Sequence, residues 1–206
     1  GRTEYADHLR WLFENKEEEK LVQEPVFQTI FPWEPHTHRM HDLAGLLGEE
    51  LIDALDVAKF REPANPDAKV EDMSFKKDIY PYKHQVESWR AVLEENKSIL
   101  VTTGTGSGKT ECFMVPILKD LLDERKRMNG MNPGVQAIFL YPLNALIASQ
   151  RKRIHAWCDA VNQRANVGIT YGVYTGDSEE DVNRERERQF YPQVVDRTTI
   201  RNNPPQ

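Results

Sequence analysis

The chain has 206 residues, with 27 Lys plus Arg against 33 Asp plus Glu, which gives a formal net charge of −6. Hydrophobic residues make up 39% of it, and its mean hydropathy is −0.67. No stretch approaches the roughly 20 apolar residues of a membrane span, and the acidic total excludes a histone-like polycation. The two cysteines, Cys112 and Cys158, are far apart. The sequence therefore favours a reducing, cytoplasmic compartment over a disulfide framework or a zinc site.

Residues 1–75 are predicted to form a small, mainly helical accessory region. Apolar residues at helical spacing predict a helix over residues 5–21, and prolines flank a short edge strand at 26–31. A second helix is expected over residues 43–59, and a polar linker within 61–75 is expected to hold the domain boundary. Because acidic side chains outnumber basic ones in this region, it is a candidate surface for protein partners rather than for a polyanion.

From residue 76 the pattern changes to alternating apolar strands and amphipathic helices. Such alternation is typical of a parallel sheet with right-handed crossovers and helices on both faces. The sequence therefore predicts an α/β fold over residues 76–206. The strands are expected at residues 98–102, 135–141 and 168–174, and the helices at 84–95, 109–126, 143–161 and 178–190.

A glycine-rich loop follows the first of these strands and opens a helix, which is the context that a phosphate-binding loop needs. Glycines let backbone N–H groups curl around a phosphate, and the helix N-terminus adds its positive end. Lys109 would reach the β and γ phosphates of ATP, and the Thr110 hydroxyl would ligate Mg²⁺. A plain Gly/Ser-rich surface turn is the alternative interpretation. The residues assigned to nucleotide binding are Thr103, Gly104, Thr105, Gly106, Ser107, Gly108, Lys109 and Thr110.

Two residues upstream of the loop are candidates for the adenine base. The amide of Gln85 has both a donor and an acceptor, so it can pair with the N6 amine and N7 of adenine together. Tyr82 supplies an aromatic ring that could stack on the base. A purely structural role for both residues, at the start of a helix, is left open.

The order of these motifs resembles that of superfamily 2 DEAD/DEAH-like helicases. A Tyr-x-x-Gln element corresponds to the Q motif, residues 103–111 to motif I, residues 141–146 with Gln150 to motif Ia, and residues 173–177 to motif Ib. The residues in motifs I and Ia are similar to those of large bacterial DNA helicases, including the MrfA/YprA repair helicases and the antiphage helicases of Druantia or DISARM systems. The resemblance implies part of a RecA-like P-loop NTPase lobe that uses ATP and Mg²⁺.

The same resemblance implies contacts with one strand of nucleic acid, with DNA favoured over RNA. Motif Ia would offer backbone N–H groups at a helix start, at Pro142, Leu143 and Asn144. Motif Ib would contribute Thr175 and Gly176, although a plain turn is the alternative there. The basic residues 151–153 follow motif Ia and could add charge, or form an ordinary exposed helix face.

The family also needs an Asp-Glu pair for Mg²⁺ and the attacking water, and a second RecA-like lobe with an arginine finger. Neither is identified in this sequence. We therefore expect the chain to be an N-terminal fragment that binds ATP weakly and hydrolyses essentially none of it, with the rest of the polypeptide as its partner. A non-catalytic, nucleotide-gated protein-interaction module is the alternative function.

Overall fold

The structure is a computed structural model. The chain divides into two compact units, Gly1–Pro32 and Trp33–Gln206. Among the described residues, no helix has the length and apolar character needed to cross a membrane. The structure describes residues 2–15, 33–65, 67–128, 134–176, 178–180, 188–202 and 205.

The first unit contains helix α1 (Arg2–Asn15). The rings of His8 and Trp11 stack on it with centroids 6.3 Å apart, as expected for residues three positions apart on a helix. This helix confirms the first part of the helix predicted over residues 5–21. The remainder of that helix and the strand predicted at 26–31 lie outside the described residues.

The second unit begins with short helices in place of the single helix predicted over residues 43–59. A 3-10 helix (Met40–Leu43) leads into α2 (Ala44–Leu47), and α3 (Glu49–Val57) follows. Gly48 separates α2 from α3 because its φ of +79° lies in the left-handed region, where a helix cannot continue. Leucines on both sides of this break are buried in the core.

A small antiparallel pair of strands follows α3, and its second strand lies in the region that the sequence predicts as a linker. Strand β1 (Lys59–Phe60) pairs with β2 (Glu71–Asp72) in the register Lys59↔Asp72 and Phe60↔Glu71. Strands of two residues are too short to show an alternating pattern. The helix prediction over residues 43–59 was therefore wrong at Lys59, and the linker prediction within 61–75 was wrong at β2.

Three longer helices confirm the corresponding predictions to within a few residues. They are α4 (Lys83–Leu93), α5 (Lys109–Arg127) and α6 (Asn144–Ala165). Helix α4 packs on α5, and α3 packs on α6. The indole N–H of Trp157 on α6 donates to the carbonyl of Met73 at 2.7 Å.

Residues on both sides of the predicted domain boundary share one hydrophobic core. Leu51 and Leu55 of α3 belong to the same buried cluster as Val115 of α5 and Trp157 of α6. Residues 33–75 are therefore part of the same compact unit as the later helices. That residues 1–75 serve as an accessory region with a function of its own stays a prediction.

The parallel sheet is the main difference between expectation and structure. The described parallel pairing is that of β3 (Tyr171–Gly172) with β4 (Gln193–Val194). The segments predicted as strands at 98–102 and 135–141 have no strand partner among the described residues. A short helix, α7 (Arg197–Asn202), follows β4. Most of the helix predicted at 178–190 lies outside the described residues.

The physical reason lies in how a strand is stabilised. A strand needs a hydrogen-bonded neighbour as well as an apolar face. Segment 135–141 has the face, since the ring of Phe139 packs 5.8 Å from that of Phe113 on α5. Its other face is open: Ile138 is 75% and Leu140 is 88% exposed, as is Leu100 at 89% in the other segment. A cavity of about 410 Å³ lies between segment 135–141, residues 169–174 and the helices α5 and α6.

Candidate nucleotide-binding site

The glycine-rich loop adopts a backbone conformation that explains its composition. Gly106 and Gly108 have φ values of +79° and +72°, in the left-handed region that residues with a Cβ avoid. Gly108 is also the N-cap of α5, and a Cβ there would overlap the amide of Gln85. The two glycines therefore allow the chain to turn tightly into a helix whose first N–H groups point into the loop.

Lys109 and Thr110 are the first two residues of α5. The Lys109 ammonium donates to the carbonyls of Thr103 at 2.9 Å and Gly104 at 2.6 Å, so it lies folded over the mouth of the loop. The hydroxyls of Thr103 and Ser107 lie 2.5 Å apart and close the loop from within. The loop residues predicted to hold phosphate are thus brought together around the Lys109 side chain.

Helix α4 holds the backbone of the loop from one side. The ring of His84 contacts the carbonyl of Ser107 through Nε2 at 2.8 Å, and the Gln85 amide donates to the carbonyl of Gly108 at 3.1 Å. One turn further, the indole of Trp89 donates to the carbonyl of Glu111 at 2.8 Å. Three side chains of one helix therefore fix the loop and the start of α5.

Gln85 has a structural role that the sequence had left as the alternative. Its Oε1 accepts the N–H of Tyr82 at 2.8 Å, which caps α4, while its Nε2 braces the loop, and the residue is 2% exposed. These two bonds use one of two donor hydrogens and one of two lone pairs of the amide. Reading of adenine by Gln85 stays a prediction.

An aromatic residue that sequence reasoning missed lies against the loop. Trp33 is edge-on to the ring of His84 at 6.0 Å, and His84 in turn stacks on Tyr82 at 5.6 Å. A Cβ on Gly104 would be 3.3 Å from the Trp33 ring. Trp33 is held there because the backbone beside it pairs with the start of α4, including a bond from Lys83 N–H to the Glu34 carbonyl at 2.8 Å. Nothing in the local sequence pattern could have predicted this pairing.

The residues predicted to contact nucleic acid lie elsewhere on the unit. Pro142, Leu143 and Asn144 are exposed at the start of α6. Thr175 and Gly176 form a turn whose two carbonyls both accept hydrogen bonds from Arg197 of α7, at 2.6 Å each. The sequence analysis did not assign Arg197.

The basic residues 151–153 form ion pairs within the protein. Arg151 contacts Glu62 at 2.9 Å, Lys152 contacts Glu71 at 2.5 Å, and Arg153 contacts Glu111 at 2.5 Å. The three cations therefore tie α6 to the β1–β2 region and to the start of α5. They form neither the ordinary exposed face nor the open charged surface that the sequence suggested.

Buried titratable groups lie behind the site. Burial raises the pKa of the Cys158 thiol to about 12, and it also raises the pKa of Cys112, which follows the phosphate loop on α5. Burial lowers the pKa of His155, whose Nδ1 lies 3.2 Å from the Tyr171 hydroxyl. These environments favour neutral, packed side chains over reactive ones.

Parts of the sequence are similar to known proteins. The chain is 37% identical over 105 residues to the Druantia protein DruE of Escherichia coli, which covers 47% of the chain and 6% of that protein. It is 40% identical over 55 residues to the ATP-dependent RNA helicase DBP9 of Candida glabrata; this match covers 26% of the chain and 9% of that protein. It is 30% identical over 98 residues to the uncharacterized ATP-dependent helicase YprA of Bacillus subtilis; this match covers 47% of the chain and 11% of that protein.

These matches cover small parts of much longer relatives. No solved structure matches the chain significantly. The family profile described as DEAD/DEAH box helicase matches residues 82–201, from the capping segment of α4 to α7. Because that match covers more than half of the chain and includes the phosphate loop, the chain belongs to the DEAD/DEAH box helicase family.

Proposed function

We propose that this chain is the ATP-binding part of the first RecA-like lobe of an ATP-dependent nucleic-acid helicase or translocase. The observation that supports this most is the phosphate loop itself. Two left-handed glycines lead into α5, Lys109 begins that helix, and side chains of α4 brace the loop backbone. Family membership supports the ATP-dependent class of activity.

The loop has the chemistry to hold a triphosphate. Backbone N–H groups at the start of α5 and the positive end of its dipole favour an anion. Lys109, which donates to two loop carbonyls, would exchange these neutral acceptors for phosphate oxygens, to which a hydrogen bond is stronger. Tyr82, with Trp33 beyond His84, supplies aromatic surface next to the loop.

A Mg²⁺ ion fits the donor set if ATP brings most of its ligands. Magnesium prefers oxygen ligands and keeps several waters, with substrate phosphates completing its shell. The Thr110 hydroxyl, second in α5 beside Lys109, is the oxygen of this chain that would hold it. The ion would neutralise charge on the phosphates, while the loop and Lys109 orient them.

We propose that single-stranded nucleic acid contacts the chain at Pro142, Leu143, Asn144, Thr175 and Gly176, and that this nucleic acid is DNA rather than RNA. The rest of the catalytic machinery, a carboxylate pair and a second RecA-like lobe, is proposed to come from the remainder of the polypeptide. The resemblance to antiphage and repair helicases extends the proposal to antiviral defence or DNA repair in the cytoplasm, with residues 1–75 as a surface for protein partners.

Nucleotide binding is tested by titrating the purified chain with a fluorescent ATP analogue and Mg²⁺. Lys109→Ala should abolish binding while the circular dichroism spectrum is unchanged. Lys126→Ala is the matched control, because this lysine lies in the last turn of the same helix and pairs with Glu50. Equal affinity of the wild type and the Lys109→Ala variant would contradict the proposed site.

Nucleic-acid binding is tested with labelled single-stranded DNA and RNA of one sequence. Substitution of Thr175 by Val should weaken binding of the preferred strand, while Thr198→Val on α7 serves as a control of the same chemistry. Tighter binding of RNA than DNA would redirect the proposal to RNA. ATP binding without affinity for either strand would favour the nucleotide-gated interaction module.

A further inference from the structure

An ion pair joins the helix that begins at the phosphate loop to α6. Glu111 is the third residue of α5, and Arg153 lies in the middle of α6. The Arg153 guanidinium donates to Glu111 Oε1 at 2.5 Å and lies 6.0 Å over the ring of the buried Trp157. The Glu111 side chain is 12% exposed and that of Arg153 is 34% exposed. The pair is therefore largely shielded from solvent.

The Glu111 carboxylate is also close to the loop. Its second oxygen, Oε2, is buried and has no hydrogen-bond partner among the described residues. That oxygen lies 3.1 Å from the place a Cβ on Gly108 would take, and the Glu111 carbonyl is fixed by Trp89. A shielded negative charge beside a phosphate loop opposes a bound anion, unless a cation compensates for it.

We propose that Arg153 is a positioning residue of the nucleotide site and acts through Glu111. It cancels the charge of the Glu111 carboxylate beside the loop. The dipole of α5 and Lys109 then act on the phosphates without an opposing charge. This inference rests on the proposed ATP site. It adds Arg153 to that site, although Arg153 lies 42 positions after Glu111 in the sequence.

The chain offers a matched control for the experiment. Lys152 precedes Arg153 on α6 and makes an ion pair of the same length, 2.5 Å, but with Glu71 of β2. Its loss removes a cation and a tertiary contact from the same helix without touching α5. Any effect that depends only on the stability or net charge of the helix should therefore appear in Lys152→Gln as well.

The test compares ATP and ADP dissociation constants across Arg153→Gln, Glu111→Gln, the double variant and Lys152→Gln. Arg153→Gln should weaken ATP about tenfold and ADP less, because an uncompensated charge acts more strongly on the more highly charged ligand. The double variant should return to within about twofold of wild type. Glu111→Gln alone should bind ATP at least as tightly as wild type, and Lys152→Gln should be unchanged.

Two results would overturn the inference while leaving the proposed function intact. One is unchanged ATP affinity in Arg153→Gln; the other is an equal loss in the single and the double variant, which indicates a packing role alone. Thermal unfolding identifies a variant that does not fold. In that case Glu111→Gln still decides, because a loss of ATP affinity there contradicts charge cancellation. Failure of the wild type to bind ATP would instead defeat the proposed function.

Discussion

Replacing Gln85 with Ala separates its structural role from its predicted contact with adenine. The side chain is almost fully buried and makes two hydrogen bonds to backbone groups, the Tyr82 N–H and the Gly108 carbonyl. Truncation leaves both groups without these partners. A buried polar group that loses its partner costs about 1–3 kcal/mol. We therefore expect the free energy of unfolding to fall by about 2–4 kcal/mol.

The effect on nucleotides depends on whether Gln85 also reads the base. Loss of the brace on Gly108 would weaken ATP and GTP alike, since both carry the same triphosphate. Loss of a bidentate contact with adenine would cost ATP a further amount of about 1–3 kcal/mol, which is about 5-fold to 150-fold in affinity. A larger loss for ATP than for GTP is therefore the signature of base reading.

The assay combines urea denaturation with competition of a fluorescent nucleotide by ATP or GTP. Gln163→Ala is the control, because this exposed glutamine on α6 bonds to Asp159 within its own helix. An unchanged free energy of unfolding in Gln85→Ala would refute the capping and bracing role. Parallel loss of ATP and GTP affinity would refute the reading of adenine and leave Gln85 as a structural residue.

Three further predictions test other parts of the structure. Gly108→Ala forces a Cβ into the left-handed region and against Gln85, so it should lower stability by about 1–2 kcal/mol in urea denaturation and weaken ATP binding. Burial lowers the pKa of His155, so the unfolded chain binds a proton on this residue more tightly than the folded chain does. The contribution of His155 to stability should therefore be full above about pH 6.5 and fall as the pH drops below that value. The His155→Gln variant should show a smaller fall in the urea midpoint between pH 7.5 and 5.5. The raised pKa values of Cys112 and Cys158 predict that neither thiol reacts with a disulfide reagent at pH 8 until the chain is unfolded; rapid reaction of the native chain would contradict their burial.

Helices and the phosphate loop could be predicted because their signals are local. Apolar residues at helical spacing placed α4, α5 and α6 within a few residues of their observed bounds. The loop was recognisable because glycines and Lys109 occur at fixed positions before a helix. The adenine candidate Gln85 was chosen for the donor and acceptor of its amide, although the contacts it makes in the structure are those of a cap and a brace.

Features that depend on distant partners could not be predicted. Strands are stabilised by neighbours, so apolar segments such as 135–141 gave no information about whether a partner lies beside them. Trp33 reaches the loop through backbone pairing with residues nearly fifty positions later. Arg197 reaches the turn at Thr175 from α7, and the partners of the basic residues 151–153 lie in three separate parts of the chain, at Glu62, Glu71 and Glu111.

The open face of segment 135–141 has a consequence for handling the protein. The run Val-Gln-Ala-Ile-Phe-Leu-Tyr contains no charge and no proline, and its Ile138 and Leu140 side chains lie in solvent. Short segments of this composition are the ones that associate between molecules into intermolecular sheets. At high concentration the chain should therefore self-associate through this segment, and a single Ile138→Lys substitution should raise its soluble yield, because a charge on the open face opposes such pairing while leaving the Phe139 side against α5.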